Sequence, residues 1–149
     1  MALEYRLMID GTTPVEEVAR RALPDREERP TGIPPVLSVD LADRYGFDVS
    51  VRAGQNGYVD VDSDQGPWEW EPKAYVSVTF RMDKFADPVW EVINMLTIVR
   101  RVLGSGSEDA ILVVNGDMLL LARFGGTLVK HRRARWWTTF TAANDLIPD

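Results

Sequence analysis

The stretch DVDSDQGPWEWE, residues 60–71, comes nearest to a chemical motif in this chain. Asp60, Asp62 and Asp64 fall at the first, third and fifth positions of a twelve-residue calcium loop, and Glu71 falls at the twelfth. Such a loop needs glycine at its sixth position for a sharp turn, and Gln65 stands there instead. No flanking helices are predicted. We therefore expect no calcium site, and the sequence indicates no other metal and no cofactor.

The same residues alternate as in a half-buried strand. In YVDVDS, residues 58–63, valine occupies every second position, so Val59 and Val61 are predicted to face the core. Asp60, Asp62 and Asp64 would then share the opposite face. That face is either a solvated strand surface or an acidic surface for a partner.

Two tryptophans follow within PWEWEP, residues 67–72. In an extended segment Trp68 and Trp70 point the same way, with Glu69 and Glu71 beside them. Aromatic anchors dominate the energetics of protein interfaces, so an indole pair rimmed by acids fits a contact surface. The alternative is that both indoles cover the edge of the core.

A basic strip, VKHRRARWW at residues 129–137, contrasts with the formal net charge of -6 of the whole chain. Its cations are expected to form a solvated strip or to pair with the acidic residues, and its tryptophans to pack the C-terminal tail against the body of the protein. Single-stranded nucleic acid also binds cations interleaved with aromatic rings, but the surrounding negative charge argues against it. The strip comprises Lys130, His131, Arg132, Arg133, Arg135, Trp136 and Trp137.

Catalytic patterns are missing from the sequence. His131 is the single histidine, which excludes a two-histidine zinc site, and no acid adjacent in sequence orients it. The GSGS stretch at residues 104–107 lacks both the nucleophile-elbow pattern and the lysine of a phosphate-binding loop. Surface carboxylates are too numerous to identify an acid and base pair. No catalytic residue is assigned, and the chain is expected not to be an enzyme.

Length and composition indicate one domain over residues 1–149. A chain of this size buries about two-thirds of its unfolded surface, which is enough for a single core. The absence of cysteine excludes disulfides and suits a reducing compartment. The start MALEYRLMIDGTT lacks a signal-peptide pattern, and apolar runs such as AILVV are too short to span a bilayer. The sequence thus predicts a cytoplasmic protein without a membrane span.

Negative charge is concentrated in the middle of the chain. Residues 40–71 hold eight acids against two arginines. Duplex DNA binds proteins with a dominant basic face, so this distribution argues against nucleic acid as a partner.

Periodicity predicts six strands and two helices. Alternation marks ALEYRLMI, FDVSVRA, YVDVDS and AYVSVTFRMD as strands, with FDVSVRA and YVDVDS joined as a hairpin across GQNG. AILVV and MLLLA form a second hairpin about Asn115 and Gly116, residues that tolerate the positive φ of such a turn.

Both helices carry start signals. In TTPVEEVARRAL, Thr13 is expected to cap the helix, with Pro14 at the first position and Glu16 completing a capping box. The longer helix is predicted over residues 87–103, with Asp87 as its cap and Gly104 as its stop. Its apolar face comprises Val89, Val92, Ile93, Leu96, Val99 and Leu103.

These elements repeat as strand, helix, strand, strand, and TPVEEV matches DPVWEV at four of six positions. The repeat indicates either a duplicated unit or recurring helix-start chemistry. Six strands with two helices predict an α+β fold in which both helices cover one face of an antiparallel sheet. The other face is expected to be open or covered by the C-terminal segment.

Three stretches taken together, MALEYRLMIDGTTPVEEVA, the acidic middle and AILVVNGDMLLLARFGG, resemble the swarming-inhibition toxin immunity family. The likeness extends over most of the chain and rests on apolar patterns and turns. It implies a protein that binds a cognate toxin in the cytoplasm and blocks it without catalysis. The resemblance assigns no functional residue, and the basic strip has no place in it.

The charge and aromatic patterns agree with that role. Toxins that attack nucleic acid carry basic surfaces, which an acidic strand face attracts electrostatically. The alternative is a small-ligand-binding or enzymatic domain on the open sheet face, which a deep apolar pocket with convergent polar groups would favour. The sequence leaves the toxin and the oligomeric state open. The predicted partner-binding residues are Asp60, Asp62, Asp64, Trp68, Glu69, Trp70 and Glu71.

Overall fold

The computed structural model describes residues 3–148, which form nine strands and four α-helices. The helices are α1 (Val15–Ala22), α2 (Ala42–Tyr45), α3 (Pro88–Gly104) and α4 (Thr141–Leu146), with a 3-10 turn at Arg26–Glu28 and a π-helical turn at Arg133–Trp137. The strands are β1 (Glu4–Asp10), β2 (Val36–Leu41), β3 (Phe47–Gln55), β4 (Val59–Ser63), β5 (Gly66–Trp70), β6 (Ala74–Met82), β7 (Ala110–Val114), β8 (Met118–Phe124) and β9 (Thr127–Lys130).

All nine strands belong to one sheet, in the order β2-β3-β6-β1-β7-β8-β4-β5, with β9 also paired to β8. Every pairing is antiparallel except the short contact between β4 and β8. The predicted α+β class with a mostly antiparallel sheet is confirmed. The prediction of six strands is wrong. The strands β2, β5 and β9 were missed because β2 follows a proline-rich segment, β5 contains a proline and β9 has only four residues.

One face of the sheet packs against α1, α3 and α4. Tyr5, Leu7 and Ile9 of β1 face this side and are buried in the larger hydrophobic core. The helix α3 supplies a row of buried apolar residues to the same core, Val92, Met95, Leu96, Ile98, Val99, Val102 and Leu103. The prediction of two helices on one face is therefore correct but incomplete, since α4 joins them.

The start of α3 follows its sequence signals. Asp87 is the N-cap, and its carboxylate accepts a hydrogen bond from the Trp90 N–H at 3.3 Å. Pro88 is the first helical residue, where its missing N–H costs nothing. Val89, predicted on the apolar face, is exposed instead.

The start of α1 differs from the prediction. Pro14, with φ -57° and ψ 144°, occupies the N-cap position, and no side chain caps the helix. The extended ψ of Pro14 makes Val15 the first helical residue. Thr13 and Glu16 then no longer have the spacing of a capping box, because that motif requires the cap and the third helical residue.

The second face of the sheet is partly covered by the β4–β5 hairpin. The C-terminal segment, which was one of the expected covers, does not lie on this face. Val59 and Val61 of β4 pack with Met8, Ile111 and Val113, which form a smaller core on this side. The β4–β5 hairpin therefore folds over β1, β7 and β8. The same face of β2, β3 and β6 carries exposed polar side chains, among them Ser38, Asp48, Arg52 and Arg81.

Two Asn-Gly pairs have different outcomes in the fold. Asn115 and Gly116 both adopt positive φ, 53° and 69°, and the predicted hairpin between β7 and β8 is confirmed. Asn56 has a positive φ of 53°, but Gly57 does not, so a two-residue hairpin turn is not formed. The predicted pairing of β3 with β4 is wrong, since β3 pairs with β2 and β6 while β4 pairs with β5 and β8.

The two repeats of strand, helix, strand, strand do not occupy equivalent places. In the second repeat β7 and β8 are hydrogen-bonded neighbours, whereas β3 and β4 of the first repeat lie far apart in the sheet order. Within the matching helix starts, Val15 is buried and Val89 is exposed. Recurring helix-start chemistry therefore explains the short sequence match better than duplication does.

Replacing Asn115 by alanine is expected to lower the free energy of unfolding by about 1–2 kcal/mol. The Asn115 Oδ1 accepts a hydrogen bond from the Glu4 N–H at 3.0 Å, and its positive φ is unfavourable for alanine. Urea denaturation measures the loss. The variant Asn115→Gly, which tolerates the φ but lacks the amide, should lose less, and equal losses would contradict this account.

Candidate functional site

The candidate site is the hairpin formed by β4, β5 and Glu71, which we call the acidic hairpin. Its outer face carries Asp60, Asp62 and Glu69, all exposed, in a register that places Asp60 opposite Glu69. The predicted alternation is thus confirmed for Asp60 and Asp62. Asp64 lies in the turn after β4 rather than on the strand, and both Asp64 and Glu71 are exposed.

Asp60 and Glu69 are directly opposed carboxylates. Like charges in this position destabilise an antiparallel pair. Tyr58 donates a hydrogen bond to the Glu69 Oε1 at 3.2 Å, and this bond raises the pKa of the Tyr58 phenol. Within residues 3–148 neither carboxylate of the pair forms an ion pair with a cation. The outer face is therefore a patch of uncompensated negative charge.

The inner face of the acidic hairpin holds the two tryptophans. Trp68 and Trp70 lie opposite Val61 and Val59 in the strand register. Both indoles contact the Phe124 ring of β8, with centroid separations of 5.9 Å and 5.6 Å. They point the same way, as expected, and each is half-buried. Their packing holds the hairpin against the sheet and leaves part of each indole exposed.

The turn of the acidic hairpin is tied to the basic strip. The Asp64 Oδ1 accepts a hydrogen bond from the Arg132 N–H at 3.1 Å, and the Asp64 N–H donates to the His131 Nδ1 at 3.2 Å. Burial lowers the pKa of the His131 imidazole, although the nearby Asp64 opposes this shift. A neutral His131 at pH 7 can accept that bond. The strip meets the acidic hairpin at Asp64 through the Arg132 backbone and the His131 ring rather than through a cationic side chain, so this contact does not establish the predicted pairing of its cations with the acids.

The rest of the strip anchors the tail. Trp137 is 2% exposed and donates from its indole Nε1 to the Leu120 carbonyl at 3.1 Å. The Lys130 ammonium lies 4.5 Å from the centroid of the Trp137 ring and donates to the carbonyl and side chain of Asn144. Trp136 donates to the Tyr5 hydroxyl at 3.2 Å. Packing of the tail by both tryptophans is confirmed, and the solvated interpretation is wrong for Lys130, which is buried.

The calcium register does not bring its members together. Asp60 and Asp62 project from one strand, Asp64 bonds to Arg132, and Glu71 follows β5 on the other side of the turn. Within residues 3–148 no group of three or more histidine, aspartate or glutamate side chains is arranged to hold a metal ion. We expect calorimetric titration with calcium to give no saturable binding tighter than about 10⁻⁴ M. A tighter saturable isotherm would contradict that expectation.

A cavity of about 550 Å³ lies at the start of α1, and a deep apolar pocket was the feature expected to favour a ligand-binding domain. Its lining combines apolar residues such as Pro35 and Val76 with polar side chains, which are Thr12, Thr13, Glu16, Gln55 and Tyr75. Glu16 is the single carboxylate among its lining residues and is exposed. Because polar side chains stand beside an apolar wall here, a small-ligand-binding domain stays the alternative interpretation.

A buried carboxylate on α3 was not predicted. Glu91 is 4% exposed, and its Oε2 has no hydrogen-bond partner among the described residues. Burial raises the pKa of Glu91 to about 7; a hydrogen bond from the Asp83 backbone opposes this shift, and the negative charges of Asp83 and Asp87 add to it. The sequence did carry a signal, because Glu91 continues the helical row of the buried residues Met95 and Val102.

Comparison with known proteins identifies the chain. The SitI3-like family model matches residues 3–141, which is most of the sequence. No curated protein and no solved structure gave a match. In the part of the chain that the structure describes, no helix has both the length and the apolar composition needed to cross a membrane. Because the match extends over well more than half of the chain, the chain belongs to the SitI3-like family.

Proposed function

We propose that this protein is an immunity protein that binds a cognate toxin in the cytoplasm of the producing cell and blocks it by stoichiometric contact. The observation that carries the proposal is membership of the SitI3-like family over residues 3–141. Inhibition by contact requires an exposed surface and no catalytic group. The acidic hairpin supplies such a surface.

Charge supports the acidic hairpin as the place of contact. Asp60, Asp62 and Glu69 share its outer face, and the opposed pair of Asp60 and Glu69 costs stability in the free protein. A basic surface on the toxin would relieve that repulsion. The same charges would accelerate the encounter of the two proteins, because complementary fields steer association. The proposed partner is therefore a toxin with a basic surface.

Rigidity supports it further. The hairpin is held from beneath by Trp68 and Trp70 on Phe124 and at its turn by the bond of Asp64 to Arg132. A surface that is already ordered loses little conformational entropy on binding. In this proposal the exposed edges of the two indoles complete the contact, with Asp64 and Glu71 at the ends of the acidic face.

Co-expression in a heterologous host tests the proposal. The toxin encoded in the neighbouring reading frame should arrest growth alone, and co-expression of this protein should restore growth. The double variant Asp60→Asn, Asp62→Asn should protect less well. A matched variant with the same charge change, Asp43→Asn with Glu27→Gln, alters exposed acids of α2 and the 3-10 turn and should protect fully. Arrest that the parent protein does not relieve would refute the immunity role.

A further inference from the structure

A second feature, at the start of α3, combines a cavity with a buried carboxylate. The cavity, about 190 Å³, lies where the β6–α3 connection meets the tail, and Glu91 lines it. Met82, Val92 and Phe140 give it apolar walls. The Oε2 of Glu91 is buried without a hydrogen-bond partner among residues 3–148. A buried carboxylate oxygen without a partner is costly, so this site has an unmet requirement for a hydrogen-bond donor or a cation.

The charges around Glu91 favour a cation over a neutral donor. Asp83 and Asp87 of the β6–α3 connection add negative charge, and Tyr5 of β1 is close enough for Glu91 to raise its pKa further, although burial is the main cause. Lys84 also lines the cavity, but it is exposed and its ammonium lies 5.1 Å from the centroid of the Phe85 ring. Gly46 and Phe140, which also pack here, carry no charge.

Apolar side chains line the cavity, and others stand next to its lining residues in the sequence. Leu3 lines it, and Phe85, Val89 and Trp90 are neighbours in sequence of other lining residues. These four are among the eight large apolar side chains that are exposed in residues 3–148, and Phe85 is 87% exposed. Clustered exposed apolar groups mark contact surfaces. A carboxylate in a cavity with apolar walls matches a side chain with an aliphatic stem and a cationic head.

We propose that this cavity receives a lysine or arginine side chain of the toxin, with the stem against Met82, Val92 and Phe140 and the cation at Glu91. This assignment rests on the proposed immunity function and adds a second point of contact to it. It also explains why α3 keeps one carboxylate oxygen, Glu91 Oε2, without a partner in its buried face, since the toxin's cation would supply the missing interaction. A basic surface on the toxin would then meet both the acidic hairpin and this cavity.

A small probe tests the cavity without the toxin. n-Butylguanidinium chloride carries the stem and head of arginine, and n-butylurea is its neutral counterpart. With ¹³C-labelled glutamate, the carboxyl resonance of Glu91 should shift saturably with the cation, at a dissociation constant on the order of 1–10 mM, and should not shift with the urea. The cation can bind only the ionised carboxylate. Since the Glu91 pKa is about 7, affinity should be about tenfold higher at pH 8 than at pH 6.

Two variants make the test specific. Glu91→Gln should bind n-butylguanidinium at least tenfold more weakly, whereas Asp43→Asn, a change of charge on α2, should bind it like the parent. Absence of saturable binding, or equal binding by Glu91→Gln, would overturn the proposal.

The toxin provides the second readout. The complex of Glu91→Gln with the neighbouring-gene toxin should dissociate at least tenfold faster than the parent complex at pH 8. Unchanged dissociation would overturn the assignment even if the probe binds. A toxin that fails to bind the parent protein at all would instead refute the immunity function, and the probe titration would separate the two failures.

Discussion

Replacing Glu91 by glutamine is expected to remove a pH-dependent loss of stability of about 3 kcal/mol. Burial raises the pKa of Glu91 from its ordinary value of 4.5 to about 7 in the folded protein. Between those values the folded state keeps a proton that the unfolded chain has released. The contribution of Glu91 to the free energy of unfolding is therefore fully present below pH 4.5. It falls as the pH rises toward 7 and stays reduced at higher pH.

Glutamine has nearly the same shape as glutamate and does not ionise. The Glu91→Gln variant should therefore lack this pH-dependent decrease in the free energy of unfolding. Free energies of unfolding from urea denaturation between pH 4 and pH 8 measure the effect. The difference between variant and parent should move in favour of the variant by about 3 kcal/mol over this range, whatever the constant cost of burying the amide. Asp43→Asn serves as the control for a change of net charge. Parallel pH profiles of Glu91→Gln and parent would contradict the buried, unpaired state of this carboxylate.

Charge and aromatic variants of the acidic hairpin are expected to change different rate constants of toxin binding. Replacing both Asp60 and Asp62 by asparagine should slow association about tenfold at low salt and weaken its salt dependence, because long-range attraction acts mainly on encounter. Replacing Trp68 or Trp70 by alanine should instead speed dissociation by an amount equivalent to about 2 kcal/mol. Surface plasmon resonance with the immobilised toxin gives both rate constants.

Asp64 is left out of the charge variant because its carboxylate also bonds to the Arg132 N–H. The tryptophans need their own control, since they also hold the hairpin on Phe124. Phe124→Ala loosens that packing and keeps both indoles. If the indoles contact the toxin, Trp68→Ala should speed dissociation more than Phe124→Ala does. If Trp68→Ala and Phe124→Ala speed dissociation equally, the tryptophans only hold the hairpin in place and do not contact the toxin. If no variant changes the kinetics, the toxin binds elsewhere on the protein.

Local patterns predicted the parts of the fold that short-range interactions determine. The cap and first proline of α3 were correct because Asp87 and Pro88 act within one helical turn. The turn at Asn115 and Gly116 was correct because both residues tolerate positive φ. The alternation of apolar and polar residues also correctly predicted that Asp60 and Asp62 are exposed to solvent.

Long-range pairing accounts for the errors. FDVSVRA and YVDVDS alternate alike and flank an Asn-Gly pair, yet β3 gains more pairing with β6 than a hairpin with β4 would provide. The position of β4 across the sheet, against Met8 and Ile111, depends on residues distant in sequence. Alternation thus predicted which way Trp68 and Trp70 point but not the ring they meet.

The same limit applies to the candidate site. An acid in the first turn of a helix usually faces solvent and favours the helix dipole, which is how Glu91 appears in DPVWEV. Its burial follows from the packing of α3 beside Gly46, which approaches the Glu91 side chain too closely to admit a Cβ without displacement. The basic strip was equally ambiguous, because Lys130 becomes a structural residue only when Asn144 and Trp137 are brought to it by the tail.

Calorimetric titration of the neighbouring-gene toxin with the parent protein tests the central claim most directly. An immunity protein that acts by contact should form a complex of defined, saturable stoichiometry, and the affinity should fall as salt is raised because the acidic hairpin contributes electrostatic attraction. The double variant Asp60→Asn, Asp62→Asn should show a smaller fall with salt. Absence of heat and of any complex at micromolar concentrations would contradict the immunity function, and a complex whose affinity is the same in both proteins at every salt concentration would contradict the acidic hairpin as its surface.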